Sequence, residues 1–367
     1  INGKKIINLK DYVIFDINNL RILVTGVTPA YNEWYNLFNK NVEDPSEALK
    51  RLLSKIDKKQ FDLLIVISHL GLDNDKELAK KVPNINIIIG GHSHSVLNEC
   101  AVENNTIICQ AGFLGEYVGE LIIDYDYKDK FIKNFKNRLI LTKDYPEDPI
   151  VNEIIKENSK KAIDNMSQPL YKIDIELKHS FSEESQIGNL MADGLKDFLN
   201  SDIGIINSGV LNHGIEKGYI TKLILHQICP SPLNPTIVEI KGNDLLLTLE
   251  KSLLQEFQLA DGAGAGFRGK YLGNIQVSSN VQIYYNQANK PLNKIQEVKI
   301  SNQLLDPQKW YTAGTSDYLQ RGTGYEDFGN CKNEVYRREW LRDILEEYLK
   351  KNRYVKKAII NRFIPTE

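Results

Sequence analysis

Two short apolar runs, separated by a segment of helical length, most constrain how this chain can fold. Residues 63–67 are continuously apolar and residues 85–89 are nearly so, without the alternation of a strand that has one face in water. Continuous apolar strands are typical of a sheet covered on both faces. With a short helix predicted around residues 76–81, the pattern indicates a βαβ unit, and therefore neighbouring parallel strands in an α/β sheet.

The first half of the chain extends this pattern, and the second half changes it. Residues 21–27 are strand-like, and Asp44-Pro45-Ser46-Glu47 is typical of a helix start, because Asp caps the first turn and Pro suits its first position. After residue 106 the pattern becomes strand-rich hairpins. From about residue 170 it is α+β, with helices predicted at 184–199, 242–256 and 338–351 and strands at 202–206, 235–240, 280–285 and 297–301.

A boundary between these halves is predicted at the proline-rich segment Tyr145-Pro146-Glu147-Asp148-Pro149. Apolar residues then recur at helical spacing until Pro169, which indicates a connecting helix. We therefore expect an α/β domain over residues 1–145, a helical linker over residues 146–168 and an α+β domain over residues 169–367.

Composition excludes some classes of partner. A net charge of −2 provides no electrostatic basis for binding a nucleic acid polymer, and no apolar run is long enough for a membrane span. The four cysteines show no Cys-x-x-Cys spacing. We expect four reduced thiols in a cytoplasmic protein, with Cys100 facing Cys109 across a strand pair as the alternative.

Three histidines follow the ends of the two apolar strands. His69 comes directly after the first strand, and His92 and His94 follow Gly90-Gly91 after the second. Adjacent parallel strands place these loops at the same edge of the sheet, where α/β proteins bind ligands. Imidazole donors suit borderline divalent metals such as zinc, manganese, iron or nickel. The spacing therefore predicts a metal site at this edge.

These loops also carry a family resemblance. Ser68-His69-Leu70-Gly71 and Gly90-Gly91-His92-Ser93-His94 resemble the last two metal motifs of the calcineurin-like metallophosphoesterases, and Gln110-Ala111-Gly112 is similar to their 5′-nucleotidase branch. The resemblance implies part of an αββα sandwich. It also implies two divalent ions (manganese, zinc, iron or similar), with His69 and His92 as ligands of one and His94 as a ligand of the other. In that family a metal-activated water attacks phosphorus.

Other motifs of that family are missing from this sequence. The family also uses an Asp-x-His, a bridging Asp and a Gly-Asn-His-Glu segment that contains the catalytic His, and none of these occurs here. Because the chain begins with Ile1, we expect these motifs upstream and the chain as given to be catalytically incomplete, with no catalytic residue of its own. The alternative is a shortened, non-catalytic protein that binds a nucleotide or a metal.

The second half resembles the 5′-nucleotidase C-terminal substrate domain. The resemblance implies that Asn207 and Gly209 bind substrate and that Phe267 and Tyr318, on two glycine-containing loops, clamp a nucleobase. Arg268 and Arg321 lie beside these aromatic residues and are the candidate cations for phosphate.

The match to the substrate domain is incomplete in ways that leave the substrate open. Asn212 replaces the phosphate-binding Arg of the family, and the acidic residue expected near Thr323 is absent. A nucleoside monophosphate is the first expectation for the small-molecule substrate. Cyclic nucleotides, nucleotide sugars, other phosphoesters and sulfur esters stay open.

Overall fold

A six-stranded sheet forms the centre of the first of the two units into which the chain divides, residues 1–151 and residues 152–367. The computed structural model describes residues 9–262, 266–352 and 360–367. The strands of the first unit are β1 (Val13–Ile17), β2 (Leu20–Val27), β3 (Leu63–Ser68), β4 (Ile87–Ile89), β5 (Ala101–Glu103), β6 (Thr106–Cys109), β7 (Tyr117–Asp126) and β8 (Phe131–Leu141). The helices of this part of the chain are α1 (Asn32–Tyr35), α2 (Pro45–Leu53), α3 (Leu72–Lys81) and α4 (Pro149–Met166), the last of which runs across the division.

The strand order of this sheet is β1-β2-β3-β4-β6-β5. β2, β3, β4 and β6 pair in parallel, and β1 and β5 are antiparallel edges. Ile67 of β3 pairs with Ile89 of β4, so the two strands end at the same edge of the sheet. The predicted βαβ unit is confirmed. Helix α3 begins earlier than the apolar pattern indicated, because its first turn is polar, with Asp73 and Asp75.

The core of the first unit lies between this sheet and helices α2 and α3. The side chains of Leu23, Leu64, Val66, Ile88 and Ile108 are buried there together. The predicted cap of α2 is present, since the Asp44 carboxylate accepts hydrogen bonds from the backbone N–H groups of Ser46 and Glu47 at 2.9 and 3.1 Å. Such a cap contributes about 1 kcal/mol to the helix.

A disulfide joins Cys100 and Cys109, whose Cα atoms are 4.8 Å apart. The expectation of four reduced thiols was therefore wrong for this pair. The register explains why: Ala101 of β5 lies opposite Ile108 of β6, so residue 100 faces residue 109 across the hairpin. Cys229 and Cys331 are free thiols, and burial raises their pKa values to about 12 and about 11.

The second unit contains a five-stranded sheet of order β13-β10-β17-β12-β18, a four-stranded sheet of order β16-β15-β14-β19 and the pair β11-β9. The strands are β9 (Pro169–Ile173), β10 (Ile203–Asn207), β11 (Gly218–Thr221), β12 (Pro235–Lys241), β13 (Ile275–Val277), β14 (Val281–Tyr285), β15 (Ile295–Ile300), β16 (Gln303–Leu304), β17 (Trp310–Ser316), β18 (Lys332–Tyr336) and β19 (Phe363–Pro365). The helices are α5 (Gln186–Leu199), α6 (Lys222–Ile228), α7 (Gly242–Ser252), α8 (Gln255–Gln258), α9 (Asp317–Gln320) and α10 (Leu341–Lys351).

Helix α5 packs closely on this larger sheet. A Cβ at Gly204 of β10 would lie 1.8 Å from the carbonyl oxygen of Ala192, so only glycine lets the helix and strand approach this far. A buried ion pair joins α5 to the residue before the C-terminal strand β19, with Arg362 donating to Asp193 at 2.6 Å. Glu184 adds to this link by accepting from the backbone N–H of Arg362 at 2.9 Å.

The predicted fold class, α/β followed by α+β, is confirmed. The main correction concerns the helix predicted over residues 242–256. It ends at Ser252, and a separate short helix begins at Gln255. Within the described residues, no helix is apolar over enough of its length to cross a bilayer.

Candidate functional site

The loops of His69 and His92 meet at the edge of the first sheet, as the spacing predicted for this pair. The ring centroids of His69 and His92 are 5.1 Å apart, with the ring planes inclined by 71°. His69 is exposed and His92 is half-buried. A Cβ at Gly91 would lie 3.3 Å from Nδ1 of His69, so the glycine before His92 lets its loop come close to the other imidazole.

Two further contacts of these histidines come from aromatic residues. Nε2 of His92 lies 3.1 Å from the hydroxyl of Tyr31. His94 stacks on Phe113, with ring centroids 4.7 Å apart and planes within 8° of parallel. Both His92 and His94 have left-handed backbone conformations, with φ of 72° and 57°. Such conformations are uncommon for residues other than glycine and persist where the surrounding structure imposes them.

The donor chemistry of His69 and His92 fits a divalent metal, but their number does not complete a site. Borderline metals bind imidazole nitrogen, and even a simple zinc site uses three or four protein ligands. Over the parts of the chain that the structure describes, no group of three or more His, Cys, Asp or Glu side chains converges as a metal site. These residues therefore fit as part of the ligand set of a metal and not as the whole of it.

A buried carboxylate lies directly behind the histidine loops. Asp75 of α3 is fully buried, and its side chain accepts a short hydrogen bond from the hydroxyl of Ser68, the residue before His69. Burial raises the pKa of Asp75, and the hydrogen bonds from Ser68 and Gln110 oppose this shift. Sequence reasoning missed Asp75, although its place one helical turn after Gly71 was visible.

In the second unit, the candidate residues Asn207 and Gly209 belong to a tightly packed turn at the end of β10. The Asn207 amide donates to the carbonyl of Leu272 at 2.7 Å, whereas its Oδ1 is buried and accepts no hydrogen bond from the described residues. A Cβ at residue 209 would lie 1.9 Å from the carbonyl oxygen of Tyr271, so Gly209 is required by this packing.

Phe267 and Tyr318, predicted to clamp a base between them, stack on each other in this structure. Their ring centroids are 4.5 Å apart and the planes differ by 25°. The two residues are only 6% and 1% exposed. A base stacked between two rings requires about twice the van der Waals separation of one stacked pair. The rings therefore have to part before a base can enter between them.

The two candidate arginines lie beside these aromatic residues. Arg268 donates to the carbonyl of its neighbour Phe267 at 3.0 Å, and Arg321 donates from Nε to the carbonyl of Asp317 at 3.0 Å. The carboxylate of Asp317 is 3.9 Å from the Arg321 guanidinium. Residues 263–265 of the predicted glycine-rich loop lie outside the described residues.

Four of the six predicted substrate residues are brought together. A Cβ at Gly269 would lie 2.0 Å from the carbonyl oxygen of Gly209 and 2.8 Å from the Phe267 ring, so the two loops are in contact. Asn207 is two residues from Gly209, and Tyr318 stacks on Phe267. Asn207, Gly209, Phe267 and Tyr318 thus form one buried cluster of the second unit.

Sequence reasoning missed His179, which adjoins this cluster. Its Nε2 lies 3.1 Å from the carbonyl oxygen of Ser208, between Asn207 and Gly209. Burial lowers the pKa of His179, and the hydrogen bond to Ser208 opposes that shift. With His213 it lines an open cavity of about 660 Å³.

Two families match successive parts of the sequence. The calcineurin-like phosphoesterase family matches residues 4–96, and the 5′-nucleotidase C-terminal domain matches residues 162–329. Together the two matches include the three histidines of the sheet edge and all six candidate substrate residues.

Proteins similar to this chain include some named metallophosphoesterases and some named 5′-nucleotidases. The metallophosphoesterase YunD of Bacillus subtilis (strain 168), described as uncharacterized, is 27% identical over 331 residues, which cover 89% of this chain and 71% of YunD. The 5′-nucleotidase of Mus musculus is 23% identical over 366 residues, covering 87% of this chain and 61% of the mouse enzyme.

The fold agrees with a solved structure of the same kind. The 5′-nucleotidase precursor of Thermus thermophilus has a TM-score of 0.52 and 20% identity, covering 97% of this chain and 75% of that protein. At this identity the likeness concerns the fold alone. The chain thus spans between about three fifths and three quarters of the length of these proteins.

Proposed function

We propose that this chain is part of a metal-dependent hydrolase of nucleotide phosphoesters. The proposal is supported by the match of residues 4–96 to the calcineurin-like phosphoesterase family and of residues 162–329 to the 5′-nucleotidase C-terminal domain. The observation that carries this proposal is the meeting of His69 and His92, with ring centroids 5.1 Å apart, at the end of parallel strands. Apolar packing does not account for two imidazoles in loops that lie at a ligand-binding edge.

His69 and His92 are proposed as ligands of one divalent ion and His94 as a ligand of a second. When bound, such ions activate water for attack on phosphorus and stabilise the charge that develops there. Tyr31 supports the His92 ring for this role through its hydroxyl contact, and Gly91 lets the His92 loop come close to His69. The further ligands and the catalytic His are proposed to come from residues outside these 367.

The second unit is proposed to bind the nucleotide. The buried Oδ1 of Asn207 lacks a donor among the described residues, and an amide oxygen without a donor costs about 1–3 kcal/mol of desolvation that a substrate N–H or O–H group can offset. Phe267 and Tyr318 are proposed to receive the base, each stacking on one face after the pair opens. Arg268 and Arg321 supply cationic charge that Asn212 does not.

The domain division is proposed as predicted, with residues 1–145 and 169–367 as domains and residues 146–168 as the linker. Helix α4 (Pro149–Met166) occupies most of this linker and has no buried residue. A cytoplasmic location remains the prediction from composition, and the Cys100–Cys109 disulfide weighs against it, because disulfides persist mainly in oxidising compartments.

Hydrolysis by the complete gene product that contains this chain tests the proposal, with the products of each substrate (phosphate, nucleotide, sugar phosphate or sulfate) separated by chromatography. The substrates are a nucleoside monophosphate, a cyclic nucleotide, a nucleotide sugar and a sulfate ester, each with Mn²⁺ or Zn²⁺. His92→Ala is expected to lose about 100-fold or more in kcat/KM, on the scale of losing a metal-oriented interaction. His226→Ala, an exposed histidine of α6, is the matched control and is expected to retain activity.

The outcomes separate the two hypotheses. Metal-dependent hydrolysis of a nucleotide substrate that His92→Ala abolishes supports the hydrolase. Full activity in His92→Ala contradicts the metal assignment. Nucleotide binding without turnover of any substrate in the panel favours the non-catalytic alternative.

A further inference from the structure

The side chain of Gln110 connects the two loops that carry the candidate metal ligands. Gln110 follows β6, which pairs with β4, so it lies at the same edge of the sheet as His92. Only 4% of this residue is exposed. A long polar side chain is rarely buried to this extent unless its donors and acceptors are all used.

The amide oxygen of Gln110 binds the loop of His92 and His94. It accepts a hydrogen bond from the Ser93 hydroxyl at 2.9 Å and one from the backbone N–H of Ser95 at 3.3 Å. These donors flank His94 on both sides. The oxygen thereby fixes the backbone of this loop between His92 and Ser95.

The amide nitrogen of Gln110 binds both loops. It donates to the carbonyl of Gly91, next to His92, at 3.2 Å and to the Asp75 carboxylate at 3.4 Å. Asp75 in turn accepts from the hydroxyl of Ser68, which also accepts from the backbone N–H of Leu70 at 3.1 Å. His69 lies between Ser68 and Leu70, so its backbone is held from both sides.

The packing around this amide leaves no room for a larger neighbour. A Cβ at Gly90 would lie 2.4 Å from an Asp75 carboxylate oxygen and 2.8 Å from the Gln110 amide nitrogen. Ser93 supplies a second link, because its hydroxyl also accepts from the backbone N–H of Leu72 at 3.1 Å. The two loops are therefore joined by one network, in which Gln110 contacts the largest number of separate groups.

We propose that Gln110 is a positioning residue, which sets the spacing of His69 and His92 for a shared metal ion. This inference rests on the proposed function, since it concerns the same histidine pair. The carboxamide is the suitable group because it donates and accepts at once. A carboxylate at this position would face the buried Asp75 with no N–H to donate, and an apolar side chain would leave Asp75, Gly91 and Ser95 with unmade hydrogen bonds.

The test combines hydrogen exchange with zinc titration of the complete gene product that contains this chain, comparing Gln110→Met with the unmodified protein. Gln110→Met keeps the volume and removes the hydrogen bonds. Gln258→Met is the matched control, since Gln258 is a buried amide of the second unit that donates to Ser252 at 2.9 Å. Exchange is followed in peptides covering residues 68–72 and 91–97, with a peptide from β3 as the internal reference.

Gln110→Met is expected to raise exchange in both loop peptides about 10-fold or more, to leave β3 unchanged and to weaken zinc binding about 10-fold, the scale typical of groups that orient metal ligands. Unchanged exchange in the loops would overturn the inference. Faster exchange with unchanged zinc affinity would also overturn it, while leaving the proposed function in place. If the complete gene product without the substitution binds no zinc, the metal assignment of the histidine pair fails, and the role given to Gln110 fails with it.

Discussion

Replacing Cys100 and Cys109 together by serine removes the covalent closure of the β5–β6 hairpin, and its cost can be worked from the chain. The two residues are separated by 9 positions. In the chain-entropy description, closing a loop of this length removes about 8.6 cal/mol/K from the unfolded state, or about 2.6 kcal/mol at 25 °C. We therefore expect the double variant to unfold more easily by roughly this amount, since the cross-link no longer restricts the unfolded chain.

Urea unfolding measures this difference in the first unit. Trp310 and Trp340, both in the second unit, are first replaced by phenylalanine, which leaves Trp34 as the fluorescent reporter. With a slope of about 2 kcal/mol per molar urea, a loss of about 2.6 kcal/mol lowers the midpoint by about 1.3 M.

A reductant supplies the internal control for this experiment. Dithiothreitol is expected to lower the midpoint of the disulfide-containing protein to that of the double serine variant, and to leave the variant unchanged. Equal urea midpoints for the two proteins under oxidising conditions would refute the reasoning, because the disulfide would then contribute nothing to the stability of the first unit.

Three further predictions concern the second unit. Burial raises the pKa of the Asp317 carboxyl from 3.8 to about 6. This group therefore stabilises the fold below about pH 4, and its contribution of about 3 kcal/mol is lost as the pH rises through about 6. Asp317→Asn should flatten that part of the profile of stability against pH, and an unchanged slope would contradict the burial argument. Phe267→Leu keeps most of the apolar volume and removes the ring. Calorimetry should therefore show a loss of nucleotide affinity of about 10-fold, as expected for about 1–3 kcal/mol of base stacking, and an unchanged affinity for phosphate. Equal losses for both ligands would count against stacking. Asp193→Ala leaves the buried Arg362 guanidinium without its carboxylate partner. Urea unfolding should show that the free energy of unfolding falls by about 3–5 kcal/mol. A fall of less than about 1 kcal/mol would mean that the pair is better hydrated than its burial implies.

The parts of the fold that follow local rules could be predicted from the sequence. The strand at residues 63–67 and the cap at Asp44 depend on neighbouring residues, so period and capping chemistry were sufficient to find them. The start of α3 was misplaced because its first turn is polar, and apolar periodicity does not detect such a turn. The disulfide was missed because the register that brings Cys100 opposite Cys109 is set by the pairing of β5 and β6, which the spacing left open.

In the candidate site, too, the features set by local sequence and topology were predictable, and those set by tertiary packing were not. The meeting of His69 and His92 follows from the topology of a βαβ unit, and it was predictable once two parallel strands were recognised. Tyr31, whose hydroxyl reaches His92 from 61 residues away along the chain, gave no local signal. The orientation of His94 was also beyond prediction, because its stacking on Phe113 depends on the conformation of two loops.

The resemblance to a family placed the substrate residues but not their arrangement. Phe267 and Tyr318 were identified as a pair of aromatic residues on two loops, and their stacking on each other depends on how those loops pack. The same holds for His179, whose contact with Ser208 links residues 29 positions apart. In both cases the type of side chain could be identified from the sequence, whereas its contacts in the folded protein could not.

The central claim is that His69 and His92 share a divalent metal ion, and anomalous X-ray diffraction from crystals of the complete gene product grown with Mn²⁺ tests it most directly. An anomalous peak is expected at bonding distance from the imidazoles of both histidines. Manganese bound elsewhere in the protein, with neither imidazole among its ligands, would contradict the account.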